Sequence, residues 1–272
     1  MKFATVRLGG ATRAVRIDDD AAVVLDAGDV GELLARAGGL DSAKEAGPRL
    51  ELGDLDFASL LLRPEKVLCV GLNYAAHITE MGRELPTYPT LFAKYPRALI
   101  GAYDDIALPG ESDAMDWEAE LGIVVGAPVR RASPDEARAA IAGYTVVNDI
   151  TARDWQYRTT QWLQGKNFEA TTPVGPWLVT GNDDPAFELS CDVDGELVQH
   201  SNTADLVFDP VALVQYISTL ITLTPGDLIV SGTPGGVGHA RKPPCYLHDG
   251  SVVTTRIEGV GECRNICRAE KQ

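Results

Sequence analysis

The chain has 272 residues, 45% of them apolar and 23% charged, the make-up of a globular protein long enough to bury a full core. Lys and Arg total 24 against 39 Asp and Glu, and the net charge of −15 argues against binding to phosphate backbones or anionic membranes. An odd five cysteines and an opening MKFATVRLGG without a signal peptide's apolar segment point to a reducing cytoplasm, and no run approaches the roughly 18 apolar residues of a membrane span.

Residues 1–62 read as a small unit. KFATVRL and RAVRID are strand patterns broken by Gly9-Gly10, and Val30 to Ala37 is a short helix pattern ended by Gly38-Gly39. Residues 40–57 are acidic and weakly patterned, as a connection would be, and Pro64 marks the boundary of a second domain over 63–272. KVLCVG reads as a buried strand that stops at Gly71. Asn73 is placed to cap a short helix over YAAHITEM that ends near Gly82. TLFAKY and ALIGAY are further strand patterns, and WEAELGIVVG alternates as a half-buried strand does. SPDEARAAIAG predicts a helix with Ser133 as cap, Pro134 in its first turn, Asp135 and Glu136 at its positive end and Gly143 as its stop. YTVVNDI is β-rich and ends in polar residues; CDVDGELVQ predicts a hairpin about Asp194-Gly195. Asp209-Pro210 opens the helix pattern VALVQYISTLITL. TPGDLIVSGTPGGVG reads as turn, strand and glycine-rich loop, and DGSVVTTRIEGVGE as a turn and a strand. Many short strands with few helices predict a β-rich α+β chain and not a doubly wound one.

The stretch from Ala98 to Val129 has no Lys or Arg and seven acids: Asp104, Asp105, Glu111, Asp113, Asp116, Glu118 and Glu120. Most read as a solvated loop. Glu118 and Glu120 differ, because period 2 at the start of an apolar strand puts both carboxylates on one face. Adjacent carboxylates repel unless a cation or proton lies between them, and a hard divalent cation takes such oxygen ligands. The same spacing also suits the exposed face of an amphipathic strand. Asp149 ends the apolar run TVV and could supply a third ligand, or it could cap a helix over TARDWQ. His77 and Glu80 lie three apart on one helical face, where a carboxylate can make an imidazole a general base, or where both are an ordinary surface pair. Lys166 could steady an oxyanion or be solvated, and GTPGGVG could bring backbone amides to an anion without matching a nucleotide fingerprint. Cys245, His248, Cys263 and Cys267 could be drawn as a zinc site, but the segment between them reads as a turn and strand of the main fold. No Gly-x-Ser-x-Gly elbow is present.

In this order, VGLNYAAHITEMG, PTLFAKYP, MDWEAELGIVVG, GYTVVNDITARDWQ, QGKNFEATTPVGPW, LTPGDLIVSGTPGGVG and DGSVVTTRIEGVGE resemble the fumarylacetoacetate hydrolase family over residues 64–267. The resemblance implies a mixed β-roll catalytic domain behind a small N-terminal α/β domain, a homodimer, and Mg²⁺ or Mn²⁺ as cofactor. By motif, Glu118, Glu120 and Asp149 match the metal ligands, and His77 and Glu80 match a His–Glu dyad on a lid. Lys166 and Gln156 match residues facing the substrate's oxyanion and water. Thr233 matches a contact to the substrate carboxylate, and Arg153 and Lys94 sit in matching substrate-binding motifs. One departure stands out: some members carry Arg just before the Asn-Tyr pair, and here that position is Leu72. The implied activity on a small 2-oxo acid is hydrolysis of a C–C bond in an acylpyruvate or related 2,4-dioxo acid, through an enolate held by the metal. Oxaloacetate decarboxylation and isomerisation or tautomerisation of a 2-hydroxydienoate use the same site and stay open. A non-catalytic 2-oxo acid sensor is disfavoured by the retained dyad and carboxylates.

Overall fold

The computed structural model describes residues 1–80, 82–181 and 186–270. The first stretch carries β1 (Lys2–Leu8), β2 (Ala11–Asp18), β3 (Ala21–Leu25), α1 (Val30–Ala35), β4 (Glu45–Glu51) and β5 (Asp56–Phe57). Gly9 and Gly10 turn between β1 and β2 with φ of 59° and 81°, as a tight right-twisted hairpin demands. Asp29 caps α1 by accepting from Glu32 N at 2.6 Å. The supposed connection over 40–57 contains β4, which the sequence hid. Its residues EAGPRLE are exposed at all but one position and include Pro48, so it has no alternation to read. It lies at the sheet edge, where proline is tolerated.

The remainder runs β6 (Val67–Gly71), α2 (Ala75–Glu80), β7 (Thr90–Lys94), β8 (Leu99–Ile100), β9 (Ile106–Leu108), β10 (Met115–Asp116), β11 (Ala119–Val125), α3 (Pro134–Ala140), β12 (Ile141–Asn148), β13 (Thr151–Ala152), α4 (Arg153–Gln156) and β14 (Thr172–Val179). It closes with β15 (Glu188–Val193), β16 (Glu196–Asn202), α5 (Pro210–Leu220), β17 (Leu228–Val230), β18 (Val252–Ile257) and β19 (Gly261–Ala269). The chain is β-rich α+β. Asp194 and Gly195 turn between β15 and β16 with φ of 53° and 83°, the hairpin that the Asp-Gly pair predicts. The final turn and strand prove to be two strands, β18 and β19, in an antiparallel pair.

A twelve-stranded sheet has the order β4-β3-β2-β1-β14-β12-β11-β17-β6-β7, with β5 on β1 and β8 on β14. Its N-terminal strands join the rest through β1 and β14, with Phe3 opposite Leu178. A five-stranded sheet, β16-β15-β18-β19-β9, packs on one face, where Leu121, Ile123 and Val146 meet Leu189, Val253 and Cys263. On the other face Val124, Val147, Val174 and Leu228 pack against Val30, Leu33 and Leu34 of α1. The strand β11 is therefore covered on both faces and buried at every residue, not half-buried as its alternation suggested. Burial on both sides changes what Glu118 and Glu120 can be, since neither has a solvated face to use. Among the described residues no helix is long and apolar enough to cross a membrane.

Helix α3 is capped by Ser133 as the sequence implies, with Glu136 completing a capping box, but it ends at Ala140, and Gly143 is not its stop. Gly143 lies inside β12, where a Cβ would overlap the Val179 carbonyl oxygen of the neighbouring β14. Gly143→Ala is expected to cost about 3 kcal/mol by forcing these central strands apart. Urea unfolding checks it, as a lower midpoint at unchanged slope.

Candidate active site

Antiparallel pairing of β11 with β12 sets Ala119 opposite Asn148 and Glu120 opposite Val147. Glu118 just before β11 and Asp149 just after β12 are thus brought side by side, and Asp149 N donates to Glu118 O at 2.8 Å. One oxygen from each of Glu118, Glu120 and Asp149 lies within 4.8 Å of the others, and all three residues are buried. The acids dismissed as solvated and the acids singled out part company here, with one exception: Asp116 is also fully buried.

Three cations are set against these carboxylates. Lys166, at the end of the 3-10 turn Trp162–Lys166, puts Nζ 2.5 Å from Glu118 Oε2 and 2.7 Å from Asp149 Oδ2. Lys94, the last residue of β7, reaches Asp149 Oδ1 at 2.6 Å. Arg153, the first residue of α4, reaches Glu118 Oε1 and Asp116 Oδ2, both at 2.7 Å. Burial opposes the charge on Asp149, but Lys166 and Lys94 outweigh it and hold the carboxyl below its usual range. Burial likewise opposes the Lys166 ammonium, and Asp149 and Glu118 keep it charged. Glu120 has no such compensation. Burial first, then Asp149 and Glu118, push it well above the ordinary carboxylate value, although Gly232 N donates to its Oε2 at 2.5 Å.

This donor set fits a hard divalent cation. It is all oxygen and buried, and its third carboxylate lacks the positive charge that would let it ionise. The four residues of the drawn zinc site do not form such a group among the described residues; Cys263 and Cys267 are buried core residues of β19 while Cys245 and His248 are exposed.

A cavity of about 290 Å³ opens over Glu118 and Glu120, with Asp149 fully buried and not on its wall. Glu118, Glu120, Lys166, Arg153, Gln156, Thr233, His77 and Leu72 all line it, so most of the residues expected from the sequence meet in one place. Lys94 is not on its wall but lies behind Asp149, and Glu80 is exposed outside it. Gln156 is buried and accepts from Arg153 Nη1 at 2.9 Å. The Thr233 hydroxyl donates to Ala119 O at 3.0 Å and accepts from Gln199 Nε2 at 2.8 Å. Gln199, which the sequence reading missed, also accepts from Ala119 N at 3.0 Å and so ties the glycine-rich loop to the ligand strand. It sits in an ordinary strand pattern and gives no local signal.

His77 lies on α2, whose entry is fixed in a way the sequence did not suggest. Asn73 does not cap the helix. Its amide donates to Ser231 O and Phe208 O at 2.8 and 3.0 Å, and Ala76 N donates instead to Asp205 Oδ2 at 3.0 Å. His77 Nδ1 is buried and has no hydrogen-bond partner. Burial pushes this imidazole below its usual value, against the Glu80 and Glu118 charges that would raise it. The site therefore presents an imidazole and a carboxyl group, His77 and Glu120, that burial pushes toward their neutral forms beside the Lys166 ammonium, Glu118 and Asp149, which suits proton transfer on a small acid.

The family model described as fumarylacetoacetate (FAA) hydrolase C-terminal matches residues 66–268. The mitochondrial oxaloacetate tautomerase Fahd2a of Rattus norvegicus is 43% identical over 218 residues, covering 79% of this chain and 70% of that protein. The fumarylacetoacetate hydrolase of the psychrophile Exiguobacterium antarcticum superposes with a TM-score of 0.89 at 34% identity, over 99% of this chain and all of that one. A 2-hydroxyhepta-2,4-diene-1,7-dioate isomerase from Mycobacterium marinum superposes at 0.83 and 32% identity, with both chains fully covered.

Proposed function

The chain belongs to the fumarylacetoacetate hydrolase family, and from that premise we propose that it interconverts the keto and enol forms of a small 2-oxo dicarboxylic acid of the oxaloacetate type. The observation that carries this reading is the His77 imidazole on the cavity wall, whose buried Nδ1 has no hydrogen-bond partner and which burial pushes toward its neutral form. His77 accepts the proton from the carbon beside the ketone and returns it to the ketone oxygen, so the imidazole ends as it began, the substrate is isomerised and nothing else is consumed. The Lys166 ammonium opposes the negative charge that develops on that oxygen. Mg²⁺ or Mn²⁺ held by Glu118, Glu120 and Asp149 would supply Lewis-acid charge that makes the carbon more acidic. Gln156 and Thr233 bound the space for the near carboxylate. With Leu72 offering no cation, the far carboxylate falls to Arg83, which lines the cavity and has no ion pair recorded among the described residues. Arg83→Ala is expected to raise KM for oxaloacetate about tenfold and to leave pyruvate analogues with one carboxylate unaffected, as initial rates will show.

A second reading, hydrolysis of the C–C bond of an acylpyruvate or related 2,4-dioxo acid, is favoured by one feature. A Cβ on Gly235 would stand 3.2 Å from His77 Nδ1 and 3.6 Å from Glu80 Oε2, so both tips face the same glycine of the loop, where a water could sit between them. The two readings are separated by following the ultraviolet absorbance of enol-oxaloacetate and of acetylpyruvate with Mg²⁺ and then with EDTA. Metal-dependent ketonisation without pyruvate supports the tautomerase. Conversion of acetylpyruvate to pyruvate and acetate overturns it in favour of the hydrolase, and pyruvate from oxaloacetate does so in favour of a decarboxylase. The homodimer belongs to the same reading, and sedimentation velocity tests it.

A further inference from the structure

We propose that Asp116 is a positioning residue that locks the segment 236–240, one wall of the cavity, to Arg153 and through it to Glu118 and Gln156. This rests on the reading of the triad and its cavity as the active site. The Asp116 side chain is fully buried and its acceptor sites are all taken. Oδ1 accepts from Trp117 N at 2.8 Å and Gly238 N at 2.7 Å; Oδ2 accepts from Arg153 Nε at 2.7 Å and His239 N at 3.0 Å. These donors come from two walls of the same cavity, because Arg153 and His239 both line it. From Arg153 the connection continues through Nη1 to Glu118 Oε1 at 2.7 Å and to Gln156 Oε1 at 2.9 Å.

The loop is shaped for this contact. A Cβ on Gly238 would come within 2.8 Å of Asp116 Oδ1 and would overlap the Cys245 carbonyl oxygen. Trp117 Nε1 donates to Gly236 O at 3.2 Å, a second tie between the Asp116 neighbourhood and the loop. His239 is then held by Tyr246, whose Oη is 2.8 Å from Nδ1, and stands beside the Tyr157 ring at 5.4 Å. The carboxylate satisfies three main-chain amides and a guanidinium that an apolar residue would leave without acceptors. What the carboxylate adds is geometry: a single group sets the rotamer of a cation-binding glutamate and the position of the opposing substrate wall.

The test variant is Asp116→Asn, which keeps the shape but must turn an N–H₂ toward one of two pairs of donors. Three quantities are read: hydrogen exchange across 236–241 in metal-free protein, Mn²⁺ affinity by electron paramagnetic resonance, and oxalate affinity of the Mn²⁺-loaded protein. The variant is expected to lose amide protection at Gly238 and His239 and to bind oxalate about 10- to 100-fold more weakly, with KM raised in proportion. Oxalate affinity within twofold of wild type, with only the melting temperature lowered, would make Asp116 structural and overturn the proposal. If Asp116→Asn does not fold, Arg153→Lys carries the same test. It leaves Asp116 its loop amides while loosening Glu118 and Gln156, so oxalate must weaken while loop exchange stays as in wild type; unchanged oxalate affinity overturns the relay. Wild-type protein that binds no Mn²⁺ would overturn the metal reading and the relay with it, whereas wild-type binding with normal oxalate affinity in the variants sinks the relay alone.

Discussion

Glu118→Ala is expected to abolish divalent-cation binding and turnover together. Glu118 supplies one of three clustered oxygens and accepts from two buried cations, Lys166 at 2.5 Å and Arg153 at 2.7 Å. Its loss leaves two carboxylates for the ion and two cations with one partner fewer, so the place where M²⁺ would sit becomes electrostatically repulsive. Several kcal/mol of Lewis-acid stabilisation disappear with the ion, which corresponds to about 10³-fold or more in rate. Breaking a buried pair also destabilises the fold, by up to about 3–5 kcal/mol. The damage is limited because Lys166 keeps Asp149 and Arg153 keeps Asp116. Glu118→Gln, which preserves volume and one acceptor, separates the two effects: it should remain folded by circular dichroism yet bind no Mn²⁺ and show no turnover at saturating Mg²⁺. Turnover retained in either variant would sink the metal-centre reading.

Spacing put Glu118 and Glu120 on one face but left the exposed-strand reading open, and only the resemblance joined Asp149 to them as a third ligand; the register of β11 against β12, which no chain spacing predicts, is what clusters the three. His77 and Lys166 were legible as motifs, though the spacing of His77 and Glu80 suggested a formed dyad. Here Nδ1 is unpartnered and Glu80 is exposed, because helical spacing places two residues on one face without saying where their tips meet. Asp116 was unreadable for the same reason. Apart from Trp117 N, its donors are main-chain amides 122 and 123 residues away and an arginine 37 residues away, and no periodicity connects them. The strand β4 shows the same limit in the fold, since an exposed edge strand with a proline has backbone pairing to hold it and no side-chain pattern to announce it. Strands buried on both faces erase alternation altogether, which is why β11 reads half-buried and is not.

His77→Ala is expected to lower kcat about 10²- to 10⁴-fold while Mn²⁺ and oxalate affinities stay within about twofold of wild type. The imidazole contributes a proton-transfer group and none of the clustered ligand oxygens, so the effect should fall on kcat and not on binding. The pH profile adds an independent check. Burial holds the folded His77 below the usual imidazole value of 6.5. A base must be neutral to accept a proton, so activity is present above the lowered value and is lost as pH falls through it. The acid limb of kcat/KM for the wild type is therefore expected below pH 6.5 and should vanish from the residual activity of His77→Ala. The same depression has a stability counterpart: as pH falls below 6.5 the unfolded chain takes up the proton more readily than the folded one, so this group weakens the fold in acid. Glu80→Gln then discriminates between the chemistries. In proton shuttling the imidazole works alone, and removing the Glu80 charge, which raises the His77 value, should move the acid limb to still lower pH with kcat nearly unchanged. In C–C hydrolysis the carboxylate must orient the imidazole toward water, and the same substitution should cost kcat about as much as losing His77 itself. A large fall in kcat for Glu80→Gln would thus count against the tautomerase even where oxaloacetate is turned over.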